Sequence, residues 1–174
     1  MGLAEKVAKH GSLFRSAWYN LKEELANGIV NYPDNEHELS SLLFAKCLEL
    51  MKKERFATPY QIHAEDVEIY AGNRADLTLG DLKEVDSSAK AVTVEIKHNP
   101  SSQKVMSDIM KLQRYIADDK LFHAFFVAIG DIALEKLKPR IVALGIAEKD
   151  IDMVPGRVPS SKRRKLALLV SLSP

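Results

Sequence analysis

Glu95 and Lys97, separated by Ile96, stand near the end of the run Ala91-Val92-Thr93-Val94-Glu95-Ile96-Lys97. The run is rich in β-branched residues and reads as a strand, where side chains at i and i+2 share a face. Ile96 then enters a core while a carboxylate and an ammonium emerge together on the other face. Upstream, Arg74-Ala75-Asp76-Leu77-Thr78-Leu79 reads as a second strand with a carboxylate at its start. Opposed side chains on antiparallel neighbours come within about 5 Å of each other. Asp76 and Glu95 set that way offer oxygens to an octahedral Mg²⁺, with the backbone carbonyl of Ile96 as a further ligand. Mn²⁺ suits the same hard oxygens. Lys97 beside them can orient a water and balance charge on a phosphate, which is what phosphodiester cleavage requires. A lysine flanked by carboxylates is held charged, so the electrostatic role outranks that of a general base.

The triplet alone carries little weight. Asp81-Leu82-Lys83 and Asp118-Asp119-Lys120 repeat its pattern at turns or helix ends. A surface Glu–Lys pair is the plain alternative, and such pairs are common and energetically minor. The strand setting and the second carboxylate on a neighbouring strand are what distinguish Glu95-Ile96-Lys97.

The elements around it are legible in outline. Leu3–His10 and Ser12–Ala26 have helical character, punctuated by Gly11 and Gly28. Tyr32-Pro33-Asp34-Asn35 is a turn with a good N-cap, and a long helix follows from about Glu36 to Glu54 with Leu39, Leu43, Cys47 and Leu50 on one face. Glu65–Tyr70, Ala75–Leu79 and Ala91–His98 read as a three-strand meander, with Gly72-Asn73 and Asp86-Ser87-Ser88 in the turns. Asn99-Pro100-Ser101-Ser102 caps a helix to about Ala117, with Val105, Ile109, Leu112 and Ile116 as its core stripe. His123–Ile129 is a continuous apolar run, the mark of a buried strand, and a helix from Ile132 to about Leu144 follows. Asp152–Val158 reads as a short strand, Pro159–Lys165 as a basic loop, and Leu166–Leu172 as a last strand or helix. This order predicts an α/β domain: a central mixed sheet of four or five strands flanked by helices, with extra N-terminal helices.

Motif and element order over roughly residues 34–130 resemble the PD-(D/E)XK nuclease superfamily, of restriction-endonuclease-like fold, nearest to archaeal Holliday-junction resolvases. Ala75 stands where the motif's name has proline. The resemblance implies Mg²⁺-dependent endonuclease activity on DNA, with Asp76 and Glu95 as metal ligands and Lys97 at the reacting phosphate. It also implies a supporting glutamate on the helix before the sheet. Asn35-Glu36-His37-Glu38-Leu39 offers two, and Glu36, sharing a face with Leu39, Leu43 and Cys47, is the one expected to point toward the sheet. Gln113 stands where several subfamilies carry a supporting glutamine, although Gln113-Arg114-Tyr115 does not fit their Gln-x-x-x-Tyr pattern; a polar residue bordering the core is its other reading. A homodimer is implied as well, its interface drawn from Leu166–Leu172 or the N-terminal helices.

Composition is consistent with this and excludes other classes. The chain has 174 residues, 46% hydrophobic and 28% charged, which suits one globular domain: a helical extension over 1–33, a catalytic core over 34–145 and a basic, apolar extension over 146–174. No apolar run reaches membrane-span length, and a single cysteine fits a reducing cytoplasm. Cys47 reads as a buried thiol, and the five histidines lack zinc spacing. Net charge is only +1, yet residues 34–86 hold 6 basic and 12 acidic groups while residues 87–174 hold 15 and 9. An acidic first half beside a basic second half suits metal ligands beside phosphate contacts. The basic candidates for gripping DNA are Lys162, Arg163, Arg164 and Lys165, with Arg157 before them, and Lys104, Lys111 and Arg114 on the post-motif helix. A non-catalytic nucleic-acid-binding or assembly subunit is the alternative function.

Overall fold

The computed structural model describes residues 3–53, 61–64, 68–70, 73–80, 92–118, 123–130, 134–155 and 166–173. In chain order the elements are α1 (Leu3–Ala26), α2 (Glu36–Lys53), β1 (Gln61–Ala64), β2 (Glu68–Tyr70), β3 (Asn73–Arg74), β4 (Leu77–Gly80) and β5 (Val92–His98). Then come α3 (Ser102–Ala117), β6 (His123–Gly130), α4 (Leu134–Val142), a 3-10 turn at Glu148–Asp150, β7 (Ile151–Pro155) and β8 (Leu166–Leu172). Six strands form one sheet in the order β1-β4-β5-β6-β8-β7, and β2 and β3 pair as a separate ribbon. The β5–β6 pair is parallel and the other pairs are antiparallel, so the sheet is mixed.

Alternation along the strands sends side chains into two cores. On one face Val92, Val94, Ile96, Phe125 and Val127 pack with Phe14, Trp18, Leu21, Leu39, Leu43 and Cys47 of α1 and α2. On the other, Ala124, Phe126, Ala128, Leu168 and Val170 meet Val105, Ile109, Leu112, Leu137 and Ile141 of α3 and α4. Strands β6 and β8, covered on both faces, take apolar residues at nearly every position, which is why each reads as an almost continuous run, with Ser171 the buried polar exception in β8. Each fully buried Leu or Phe of these clusters contributes about 1.5–3 kcal/mol of transfer free energy.

Three features depart from the sequence expectation. Helix α1 is continuous through Gly11, because its buried stripe of Leu13, Phe14, Ala17, Trp18 and Leu21 outweighs the cost of about 1 kcal/mol for a helical glycine. The described sheet has six strands rather than four or five, because β7 and β8 both join it; the expected meander is not formed, since β1 takes the place beside β4 while Glu68–Tyr70 pairs with β3 in the separate ribbon. Leu166–Leu172 is a strand seated between β6 and β7, so both its edges and both its faces are covered and it offers no dimer interface. The N-terminal helix is also strapped to the C-terminal strands. Arg15 donates to Asp150 (3.3 Å) and Ser171 (2.7 Å), and Trp18 Nε1 donates to Asp152 (2.8 Å). No described helix is long and apolar enough to cross a membrane.

Two glycines make opposite predictions. A Cβ on Gly11 would meet the His123 ring at 3.5 Å, ordinary contact. Gly11→Ala is therefore expected to stabilise the fold by about 0.5–1 kcal/mol through helix propensity. Gly130 has φ +152°, and a Cβ there would collide with Asn99 Oδ1 and lie 2.8 Å from the Asn99 Cα. Gly130→Ala is expected to cost at least about 2 kcal/mol. Urea denaturation of the two variants measures both, and equal shifts of one sign would refute this pair.

Candidate active site

The site is assembled at the carboxyl end of β5 from three segments. Leu77 of β4 pairs with Val94 and Thr78 with Thr93, a register that continued by one residue sets Asp76 opposite Glu95. Val94 and Ile96 point into the α1–α2 core, so Glu95 and Lys97 emerge on the opposite face, as the alternation predicts. The third segment is the start of α2. Asn35 Oδ1 accepts from the Glu38 backbone N–H (2.9 Å), and Glu38 Oε2 accepts from the Asp34 N–H (2.8 Å), closing the cap. Glu38 is thereby committed to the helix end. Glu36 instead reaches β5, its Oε1 accepting from the His98 N–H at 3.3 Å.

The ammonium of Lys97 is the centre of the cluster. Nζ lies 3.0 Å from Glu95 Oε1, 3.7 Å from Asp76 Oδ2 and 3.8 Å from Glu36 Oε2, and it donates to the Ile96 carbonyl at 2.7 Å. Asp76 Oδ2 also accepts a hydrogen bond from the Ile96 N–H. Thus Glu36, Asp76, Glu95 and the Ile96 carbonyl, four sequence candidates, are brought around one cation. The lysine and Glu95 side chains are only 15% and 12% exposed, which strengthens each interaction relative to a surface pair.

Burial dominates the electrostatics of Asp76. It pushes the carboxyl up to about 6, with help from Glu95 and Glu36 and against the opposing pull of the Ile96 N–H and Lys97. Burial works against the charge of Lys97 too, but Glu95, Asp76 and Glu36 outweigh it and hold the ammonium above its usual range. Lys97 is therefore a fixed positive charge and a poor proton acceptor at neutral pH.

Other candidates fall elsewhere. Gln113 donates to the Leu144 carbonyl at 3.0 Å, tying α3 to the end of α4, and is not brought to the cluster. It lines a separate cavity of about 490 Å³ with Ile116, Gly145 and Ser171. On α3, Lys104 binds Asp108 (2.9 Å) and Arg114 lies 3.8 Å from Asp118, while Lys111 covers the Tyr115 ring. Arg157, Lys162, Arg163, Arg164 and Lys165 lie outside the described residues, as does the Asp86-Ser87-Ser88 turn. The Cys47 thiol is pushed up to about 12 by burial, which suits packing and not nucleophilic chemistry. Sequence reasoning misses the backbone's share of the site, the N–H groups of Ile96 and His98 that hold Asp76 and Glu36. No residue type signals a backbone donor. The N-cap pattern Asn35-x-x-Glu38 is a signal that Glu38 is committed to the helix end.

The donor set tests how well a divalent cation fits. Three carboxylates and a carbonyl are hard oxygen ligands of the kind Mg²⁺ and Mn²⁺ take, and they already surround one positive charge. Among the described residues, however, no group of three or more His, Cys, Asp or Glu stands ready to hold a metal ion. The oxygens are gathered on Lys97, so the chemistry fits and the lysine occupies their focus.

Comparison with protein-family models, with curated proteins and with solved structures finds no match to this chain.

Proposed function

We propose that the protein is a divalent-metal-dependent DNA endonuclease with a restriction-endonuclease-like fold, similar to the PD-(D/E)XK superfamily. The observation that supports it is the convergence of Glu36, Asp76, Glu95 and the Ile96 carbonyl on Lys97 at the end of β5. A divalent cation at these oxygens would polarise a phosphoryl oxygen and supply a water of lowered pKa. Asp76 is held by the Ile96 N–H and Glu36 by the His98 N–H, so two of the carboxylates are pre-oriented by β5 itself. Lys97 supplies permanent positive charge for the phosphate in the transition state. Lys104, Lys111 and Arg114, on the helix that follows β5, are the contacts proposed for the DNA backbone, together with Lys162, Arg163, Arg164 and Lys165. A homodimer would place a second site against the other strand of a duplex.

Linear and four-way-branched duplexes incubated with the protein test this reading. Cleavage is expected with Mg²⁺ or Mn²⁺ and none with EDTA. Binding without cutting, for both metals and both substrates, would replace it with the non-catalytic DNA-binding reading.

A further inference from the structure

The focus of the site is already taken. Four oxygens from three segments meet at one nitrogen: Ile96 O at 2.7 Å, Glu95 Oε1 at 3.0 Å, Asp76 Oδ2 at 3.7 Å and Glu36 Oε2 at 3.8 Å. Without that ammonium the three carboxylates would repel one another in a half-buried pocket, an arrangement that is costly wherever water is partly excluded. A dication drawn to the same oxygens would share them with the ammonium, and two positive charges set so close repel strongly. Both therefore cannot occupy the focus. The lysine is the partner able to leave, because its flexible stem turns about four single bonds while Asp76 and Glu36 are tied to backbone N–H groups.

We propose that Lys97 is the resident cation of the metal-free site, and that divalent metal and the Lys97 ammonium bind its oxygens in exclusion of each other. With a divalent cation bound, Lys97 would leave the carboxylates and its ammonium would be free to face an incoming phosphate. The order is built in: the positive charge reserved for the substrate is released only when the metal has bound. This inference rests on the proposed function in taking a divalent cation as the site's ligand.

Two measurements on the whole chain test it, neither needing DNA. Acylation by N-hydroxysuccinimidyl acetate, read by peptide mass spectrometry, reports the freedom of each amine. In EDTA Lys97 is expected to react far more slowly than the exposed Lys52, and saturating MnCl₂ or MgCl₂ should raise its labelling at least about fivefold while Lys52 is unchanged. In calorimetric titration at pH 8, Lys97→Met should bind Mn²⁺ about tenfold or more tightly than wild type, since no ammonium has to leave. Lys97→Arg, which keeps the charge, should not. If metal binds but Lys97 labelling stays constant, the exclusion is wrong and the metal site stands. Weaker binding by a folded Lys97→Met leads to the same conclusion. If neither wild type nor variant binds metal at millimolar concentration, both the exclusion and the metal-dependent reading fall.

Discussion

Glu95→Gln is expected to lower metal-dependent cleavage by about 10³-fold while leaving the fold in place. Glu95 has the shortest carboxylate contact to the cationic focus, 3.0 Å to Lys97, and its side chain is 12% exposed. Glutamine keeps the volume and one oxygen but removes a full negative charge from the proposed metal cradle. A metal's Lewis-acid contribution is worth several kcal/mol, and each 1.36 kcal/mol is tenfold in rate. Three powers of ten follow if the substitution forfeits most of that contribution. Single-turnover cleavage at saturating enzyme measures it, with circular dichroism as the control for folding. A loss under tenfold in a folded variant would remove Glu95 from the site, even if the protein proved to be a nuclease.

Asp76→Asn should also abolish cleavage, yet make the metal-free protein more stable. Burial pushes this carboxyl to about 6 in the folded state, against an ordinary value of 3.8. A raised carboxyl favours folding while it is protonated, so its contribution is full below about pH 4 and lost as pH rises through 6. Above that, the folded protein carries a buried charge that opposes folding. Asparagine resembles the protonated acid and escapes this cost while its Oδ1 can still accept from the Ile96 N–H. At 1.36 kcal/mol per pKa unit the advantage reaches up to about 3 kcal/mol at pH 8 and vanishes near pH 4. Urea titrations in EDTA at both pH values test the sign. A variant less stable than wild type at pH 8 would mean that attraction to Lys97 outweighs burial, the reverse of the order given above. The gain in stability with loss of function is the trade typical of a strained functional site.

Much of this site is legible in the sequence, because strand alternation is a strict rule. Once residues 92–98 are a strand, Ile96 must enter the core and Glu95 and Lys97 must leave it together, and the neighbouring strand's Asp76 follows. Helical phase likewise selects Glu36, and the capping bonds of Glu38 give the physical reason. What stays illegible depends on long-range partners. Gln113 is eligible for the site because its helix is correctly placed, but only the packing of α4 shows that its amide serves Leu144. The continuity of α1 through Gly11 depends on a core built from strands more than a hundred residues away. The short strand β1 has too few residues for periodicity to declare it, and its pairing with β4 is a tertiary fact.

The position of β8 has a consequence for how the chain is made. The strand enters between β6 and β7, so until residues 166–172 exist the open edge of β6 exposes an unpaired row of N–H and C=O groups flanked by apolar side chains. Synthesis at about 5–20 residues per second leaves that edge bare for roughly 2–8 s after β6 emerges. Helix α1, made first, also waits for Asp150, Asp152 and Ser171 before its polar straps can close. Truncation ahead of residue 166 is therefore expected to yield aggregate rather than a smaller folded domain.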